Sequence, residues 1–515
     1  MHEMELKFLL DEPATRRVMA GLRRLRPPDQ RLRWRKITST YYDTPDFSLR
    51  AAGIALRLRR ADRRWVQTIK ISSGLHAGLS EADEFETPAA GGVPSLQSLA
   101  EPVREEVARL VSDAPLLAVC ESIIRRNASR VDAGRGTQVE IALDVGEIRA
   151  GGRQMPLQEL ELELCEGEAG ALYDLAATLV PEPALRFSSL SKGARGFLLA
   201  QDKATERAPE PRTARPVRVQ HNFTTEQAAR EIFRECFDQV VANVQTVLAS
   251  DHPEGPHQLR VGLRRLRSGL AIFNDAFGTP KLAEIHTGAR DMGRLVGTLR
   301  DLDVAHGEMV LPLAEEHRDE PGFALLAEAL SHRAAAQRAH LRKTLAADEI
   351  QSFLMSLARF VETRGWLVNH DRDQTRRLAE PFKNAAIRVL DRHERRAKKL
   401  TKRLSRLSIE ERHELRKRLK TLRYVIEFCG PVFREKRVKA YVKRLRRLQN
   451  VLGSLSDMDV IRGLLSAPDS PGAENLAIQR ASGWLLGATS AKADLEWTRA
   501  QTLLRDLEAE GPFWR

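Results

Sequence analysis

The 515-residue chain, 42% hydrophobic and 30% charged, is several times a common domain of roughly 100 to 200 residues, so one small module is excluded, and no apolar run approaches the ~18 residues of a membrane span. Its net charge of +13 is lopsided: residues 1–200 carry 28 basic and 28 acidic side chains, whereas 201–515 carry 55 and 42, which predicts a polyanionic partner for the C-terminal part. Four scattered cysteines without a CxxC pair speak against a disulfide framework or a zinc site, and the opening MHEMELKFLLDEP places acids where a secretory leader has a basic region, so a cytoplasmic location is expected.

From residue 1 to about 200 short alternating runs dominate: EMELKF, IALRLR, WVQTIK, DEFE, VEIALDV and LELEL, with helical patterns near 13–25, 95–112 and 169–180. Period two puts Glu3, Glu5 and Lys7 on one face of the first strand and Met4, Leu6 and Phe8 on the other. Arg57 and Arg59 alternate with leucines, Thr68 and Lys70 share a face, Glu84 and Glu86 flank Phe85, and Glu159, Glu161 and Glu163 alternate with Leu160, Leu162 and Leu164. A single strand of this kind is ordinarily a half-buried strand with charges in water. Recurrence over several strands shifts that balance: a sheet closed on itself with the charged face inward would make a tunnel, leaving the apolar face to pack outward on helices. Arginine and lysine in such a tunnel suit a chain of phosphoryl groups, and carboxylates suit a hard divalent cation.

The ordered series Glu3-x-Glu5-x-Lys7, YYDTPDFSLRAAGIALRLRR, WVQTIK, SEADEFETP, ALDVGEI, ELELELCEG and SLSKGARG resembles the CYTH family, the triphosphate tunnel metalloenzymes. The resemblance implies metal binding or water positioning by Glu3, Glu5, Asp144, Glu161 and Glu163, and phosphate binding by Lys7, Arg57, Arg59, Lys70, Arg126 and Lys192, with Glu3, Glu5 and Lys7 as the catalytic signature and Mg²⁺ or Mn²⁺ as cofactor. Three choices stay open on residue pattern: Arg125 against Arg126, Glu84 against Glu86, and Glu159 with Glu161 against Glu161 with Glu163.

The segment 201–221, rich in proline and charge, is expected to be a solvated linker. Beyond it the apolar positions recur at three and four residues, the pattern of helices. Overlaying this region on itself at an offset of 156 matches HQLRVGLRRLRSGLAIF (257–273) with HELRKRLKTLRYVIEFC (413–429) and LVGTLRDLDV with VLGSLSDMDV, so a unit of about 150 residues is duplicated. His257, Arg260, Arg264 and Arg267 fall within an arc of about 80° on one helix, and His413, Arg416, Lys420 and Arg423 repeat that stripe. The block H-x-L-R-x-x-L-[RK]-x-L-R resembles the CHAD family, conserved-histidine α-helical domains. That resemblance implies two four-helix bundles whose basic surface, including these eight residues, binds inorganic polyphosphate.

The expected fold is α+β multidomain: a closed antiparallel β-barrel with flanking helices over 1–200, the linker, then an all-α domain of two duplicated four-helix bundles over 222–515, with repeats of about 222–375 and 378–515. The expected function is metal-dependent hydrolysis of inorganic tripolyphosphate to pyrophosphate and phosphate, coupled to binding of long-chain polyphosphate and compatible with association with polyphosphate granules. Its rivals are a granule-targeted scaffold, an organic triphosphatase acting on thiamine triphosphate or ATP, and an adenylyl cyclase. Nucleic acid is the disfavoured partner, because five tyrosines and six tryptophans supply little for base stacking.

Overall fold

The computed structural model describes residues 2–25, 33–61, 64–76, 78–179, 186–188, 190–201 and 210–515. They divide into two compact units, 1–210 with 346–363, and 211–345 with 364–515. Among them no helix is long and apolar enough to cross a membrane.

In chain order the first unit comprises β1 (His2–Leu9), α1 (Glu12–Arg24), β2 (Arg35–Asp43), α2 (Ser48–Ala51), β3 (Ile54–Ala61), β4 (Arg64–His76) and β5 (Leu79–Pro88), then α3 (Val103–Val111), β6 (Leu117–Asp132), β7 (Gln138–Ala150), β8 (Arg153–Glu166), α4 (Gly170–Leu179), β9 (Arg186–Phe187) and α5 (Lys192–Ala200). The strands run β5-β4-β3-β2-β6-β7-β8-β1, and β1 pairs back with β5, so eight antiparallel strands close into a barrel while β9 adds to the end of β1. This barrel is inside out relative to an ordinary core. Its outward apolar residues pack beneath helices: Leu56 and Ile69 meet Leu49 of α2 and Val103 and Val107 of α3, and Tyr41, Ile124 and Ile148 meet Phe197 and Leu199 of α5. Fully burying each such large side chain contributes about 1.5–3 kcal/mol, so the charged interior rests on an apolar shell. Two glycines set how closely that shell sits: a Cβ on Gly21 would lie 2.6 Å from the Leu179 carbonyl oxygen, and one on Gly196 would lie 2.2 Å from the Cys120 sulfur.

The helices of the rest of the chain are α6 (Thr225–Ala249), α7 (Glu254–Phe277), α8 (Pro280–Val304), α9 (Leu311–Glu316), α10 (Pro321–Leu345), α11 (Asp348–Glu362), α12 (Arg372–Ala379), α13 (Phe382–Thr401), α14 (Ile409–Cys429), α15 (Glu435–Leu465) and α16 (Leu476–Glu510). A π-helical turn, Ala305–Val310, joins α8 to α9. The duplication maps α6, α7, α8 and α10 onto α13, α14, α15 and α16. Within each copy successive helices pack on each other, and across the copies α7 meets α14 and α10 meets α16, so the two repeats form one helical body.

Two boundaries differ from the expected 201–221 linker and 222–515 helical domain. Residues from Pro211 onward are docked rather than solvated: Asn243 exchanges hydrogen bonds with the backbone of Arg212 at 3.1 and 2.8 Å, Arg212 pairs with Glu235 at 2.7 Å, and Val217 and Val219 are buried. The charges that read as solvation are satisfied by α6, while the alternating valines face the core. Residues 202–209 lie outside the described residues. Second, α11 belongs to the barrel unit, where Arg359 pairs with Asp174 of α4 and the Thr363 methyl lies 3.5 Å from the Cβ position of Gly170. Its amphipathic sequence is that of any bundle helix, so periodicity could not reveal which unit its apolar face would cover.

Candidate functional site

The barrel register decides which charges meet. Antiparallel pairing sets Glu5 opposite Glu163 and Lys7 opposite Glu161, Lys70 opposite Glu84, and Asp144 opposite both Arg126 and Glu159. Lys192 enters from the first turn of α5, whose N-terminus Ser191 caps at 3.1 Å from the Ala194 nitrogen. The side chains form two linked groups. In one, Lys192 Nζ lies 2.9, 2.5 and 2.6 Å from Asp144, Glu159 and Glu161, and Arg126 donates from Nε and Nη2 to both oxygens of Asp144 at 2.7 and 2.6 Å. In the other, Lys70 Nζ reaches Glu3 at 2.5 Å and Glu5 at 3.1 Å, Lys7 reaches Glu5 at 2.5 Å and Glu161 at 3.3 Å, and Arg57 reaches Glu84 at 2.9 Å.

Burial alone would push all these carboxyls up, because it penalises the charged form. For Asp144 and Glu161 it is outweighed by Lys192 with Arg126, and both lie below the usual range. Glu5 and Glu84 are also held down, by Lys7 and by Arg57 respectively, against their burial. Glu3 and Glu163 differ: burial, reinforced by Glu5, pushes Glu3 up to about 8 and raises Glu163. The tunnel therefore has excess acid at Glu3 and Glu163, on either side of Glu5. It also has excess base where Arg59, depressed first by Arg57, then by burial and Arg126, makes no ion pair among the described residues.

Asp144, Glu159 and Glu161 each offer an oxygen within 4.8 Å of the others, a buried acidic cluster that could hold a metal ion. All three are hard oxygen donors of the kind Mg²⁺ and Mn²⁺ take, and Lys192 Nζ stands in the middle of them as a cation would. The set fits a divalent ion, with Glu3 and Glu163 as the nearby carboxylates that protein cations compensate least.

In the helical unit the two stripes meet, because α7 packs on α14. Lys420 is pushed down to about 6 by burial, then by Arg264, Arg416 and Arg260, and Arg416 is lowered by burial and by Arg264 and Arg260. His257 is lowered by burial and Arg300, with Arg264 and Lys420 adding to it, and His413 by burial, Lys417 and Arg416. Counter-charge is sparse: Arg260 pairs with Asp301 at 2.7 Å, and burial raises its repeat mate Asp457 despite Arg416 and Lys420. The result is a cleft where cations face cations across the repeat boundary.

Family models match residues 1–197, as the CYTH domain, and 231–466, as the CHAD domain. The chain carries a CYTH domain followed by a CHAD domain. Among curated proteins it is 30% identical over 166 residues to an inorganic triphosphatase of Haemophilus influenzae, covering 31% of this chain and 45% of that one. It is 27% identical over 327 residues to an uncharacterised Mycobacterium tuberculosis protein, covering 59% of this chain and 58% of that one. The chain thus spans about half the length of the curated relatives it matches. The solved CHAD domain of the plant Ricinus communis is 26% identical, covering 57% of this chain and 96% of that one, with a TM-score of 0.49.

All eleven residues expected in the CYTH tunnel lie on its inner face or, for Lys192, reach into it. Register separates the first of the open pairs, and burial distinguishes the members of the others. Arg126 points in, while Arg125 is exposed and stacks over Trp34 at 5.5 Å. Glu84 and Glu86 share the inner face, but Glu84 is the buried one, with 17% side-chain exposure against 48%. Asp144 and Glu161 are joined by Glu159 in the acidic cluster, and Glu163 sits nearer Glu5. Sequence reasoning missed Arg195, which lies 3.3 Å from Glu159 and donates to Ser188 Oγ at 2.5 Å. Its signal was present, one turn past Lys192 in SLSKGARG. In the CHAD domain six of the eight expected residues converge on the cleft. Arg267 is near Arg290 and Arg294 as well as Arg264, and Arg423 pairs with Glu427 at 2.6 Å.

Proposed function

We propose that the CYTH tunnel hydrolyses inorganic tripolyphosphate to pyrophosphate and phosphate with Mg²⁺ or Mn²⁺, and that the CHAD cleft binds long-chain inorganic polyphosphate. The observation that carries the first reading is the side-by-side array of uncompensated acid and uncompensated base inside a closed barrel. Arg57, Arg59 and Arg126 present planar forks to phosphoryl oxygens, and Lys7 and Lys70 add point charges. A divalent ion held by Glu3, Glu5 and Glu163 with Asp144 and Glu161 would supply Lewis acidity at a phosphoryl oxygen. The chain's own contribution is to align the triphosphate, exclude bulk water and meet the charge that develops on the terminal phosphoryl group. Lys192 and Arg126 would yield part of their contacts with Asp144 and Glu161 to the ion and turn that charge toward the phosphoryl groups. Water is the simplest nucleophile, delivering phosphate and leaving pyrophosphate.

The polyphosphate reading rests on the cation-on-cation cleft, which a polyanion would relieve along its length. A cytoplasmic setting, where polyphosphate is available to both domains, completes the proposal. The deciding assay is phosphate release by the purified chain with Mg²⁺ or Mn²⁺ from tripolyphosphate, ATP, thiamine triphosphate and long-chain polyphosphate. Preferential turnover of tripolyphosphate is expected. Faster turnover of ATP or thiamine triphosphate would assign the tunnel to organic triphosphates, and binding of polyphosphate with no hydrolysis of any substrate would make the chain a binding protein.

A further inference from the structure

The helical unit also contains a cavity of about 890 Å³ beside the cleft, within the roughly 300–1,000 Å³ typical of pockets that enclose one small molecule. Its walls are chemically divided. Lys420, Arg423, Arg446 and Lys492 line it together with the apolar side chains Met309, Leu313, Met458 and Trp484. The basic wall is organised by one carboxylate: Glu427 lies 2.6 Å from Arg423 and 3.5 Å from Arg446, holding two guanidiniums side by side with positive charge to spare. Arg423 Nε is buried without a hydrogen-bond partner. Opposite in character, Trp484 is 48% exposed. Its indole is braced edge-on by His317 at 5.0 Å and Phe323 at 5.3 Å, a rigid platform left partly uncovered.

We propose that this cavity is a binding site for a nucleoside phosphate, with the phosphates on Arg423, Arg446 and Lys420 and the base on the Trp484 wall. Guanidiniums in pairs suit phosphate, and an aromatic platform suits a π-face of any base. An inorganic phosphate chain would use only half of this surface. It would also meet Glu308 and Asp457, which line the cavity and repel phosphate but accept hydrogen bonds from hydroxyl or amino groups.

The pocket is also built only once, unlike the duplicated stripe. The first repeat keeps Arg267 and Arg290 at the places of Arg423 and Arg446, but Glu328 stands in α10 where Trp484 stands in α16. The wall that carries Met309 and Leu313 comes from the π-helical turn and α9, whereas α15 continues unbroken to Leu465 at the corresponding place. A π-helical turn is a costly local geometry that recurs at functional sites. The inference is independent of whether the tunnel turns over triphosphate.

The test is calorimetric titration of the full chain in EDTA with ADP, AMP and pyrophosphate, on the wild type, Trp484→Ala and Trp484→Phe. ADP is expected to bind about tenfold or more tighter than pyrophosphate, Trp484→Ala to remove that advantage and Trp484→Phe to restore most of it. Binding of pyrophosphate to the Trp484→Ala protein should equal that of the wild type, and an unchanged helical circular dichroism spectrum and melting curve report that the variant is folded. Absence of ADP binding at millimolar concentration, equal affinity for ADP and pyrophosphate, or ADP binding unaffected by Trp484→Ala would each overturn the proposal.

Discussion

The two domains hold buried cations in opposite ways. In the barrel the most buried cations have their carboxylates, Lys192 with three and Arg126 with two, and Arg59 alone of the tunnel arginines makes no ion pair among the described residues. In the helical cleft Lys420 and Arg416 face Arg260 and Arg264 with little acid between them. The balanced network fixes geometry and suits a site that must position a small substrate. The unbalanced cleft stores repulsion, which a bound polyanion relieves, and so suits capture of a long one.

This contrast can be broken most severely in the barrel. Glu159→Ala leaves Lys192 and Arg195 buried without their shared partner and is expected to cost about 3–5 kcal/mol of unfolding free energy, read by urea denaturation. The same experiment on Lys420→Met should show no loss, or a gain of about 1 kcal/mol, since a buried cation among cations is removed. Replacing Glu3 and Glu5 together by glutamine should lower metal-dependent hydrolysis by about 100-fold or more while polyphosphate binding stays unchanged. Unchanged hydrolysis would refute their metal role. Changing Arg416 and Lys420 to glutamine reverses the pattern, weakening polyphosphate binding about tenfold with a shallower salt dependence and leaving hydrolysis of tripolyphosphate intact.

Protons sharpen the comparison further. Asp144 and Glu161 have folded values below their unfolded ones, so their contribution to stability is present above about pH 4 and is lost only as pH falls further. Lys420, at about 6, is depressed instead. Between about pH 10 and 6 the unfolded chain holds the proton that the folded chain lacks, so stability declines as pH falls through that window. A polyanion favours the charged form, so binding at pH 7–8 should take up protons and tighten as pH is lowered toward 6. Calorimetry in buffers of different ionisation enthalpy measures that uptake, and none would contradict the geometry of the cleft. The smallest effect is expected for Arg125→Ala, which loses only an exposed contact with Trp34 worth about 0.5–1 kcal/mol and should leave hydrolysis unchanged, unlike Arg126→Ala.

Much of the tunnel was legible because a closed sheet has a strict period of two: once Glu5 faces inward, Glu3 and Lys7 must follow. The choice between Arg125 and Arg126 needed register, which depends on where β6 meets β2 and β7, and no local pattern carries that. Glu159 was ambiguous for a related reason. Three glutamates in one alternating run share a face, and only the arrival of Lys192 and Arg195 on α5 separates the fully buried Glu159 from the half-buried Glu163. In the helices the repeat exposed both stripes, but whether they faced each other depended on α7 packing against α14, a contact between helices far apart in sequence. The Trp484 cavity had no sequence signal, since its walls come from separate helices and a local change of helical pitch.

Strand β1 closes the barrel by pairing with β5 on one side and β8 on the other, with Glu5 opposite Glu163. Its second edge has no partner until β8 has been made, so loop closure over most of the domain must precede the last hydrogen-bonded seam. Folding of this domain should accordingly be slow and late for its size. Until the seam forms, the open edges of β1 and β8 offer unpaired backbone to other chains, which makes the interval before closure the period in which this domain is most exposed to aggregation.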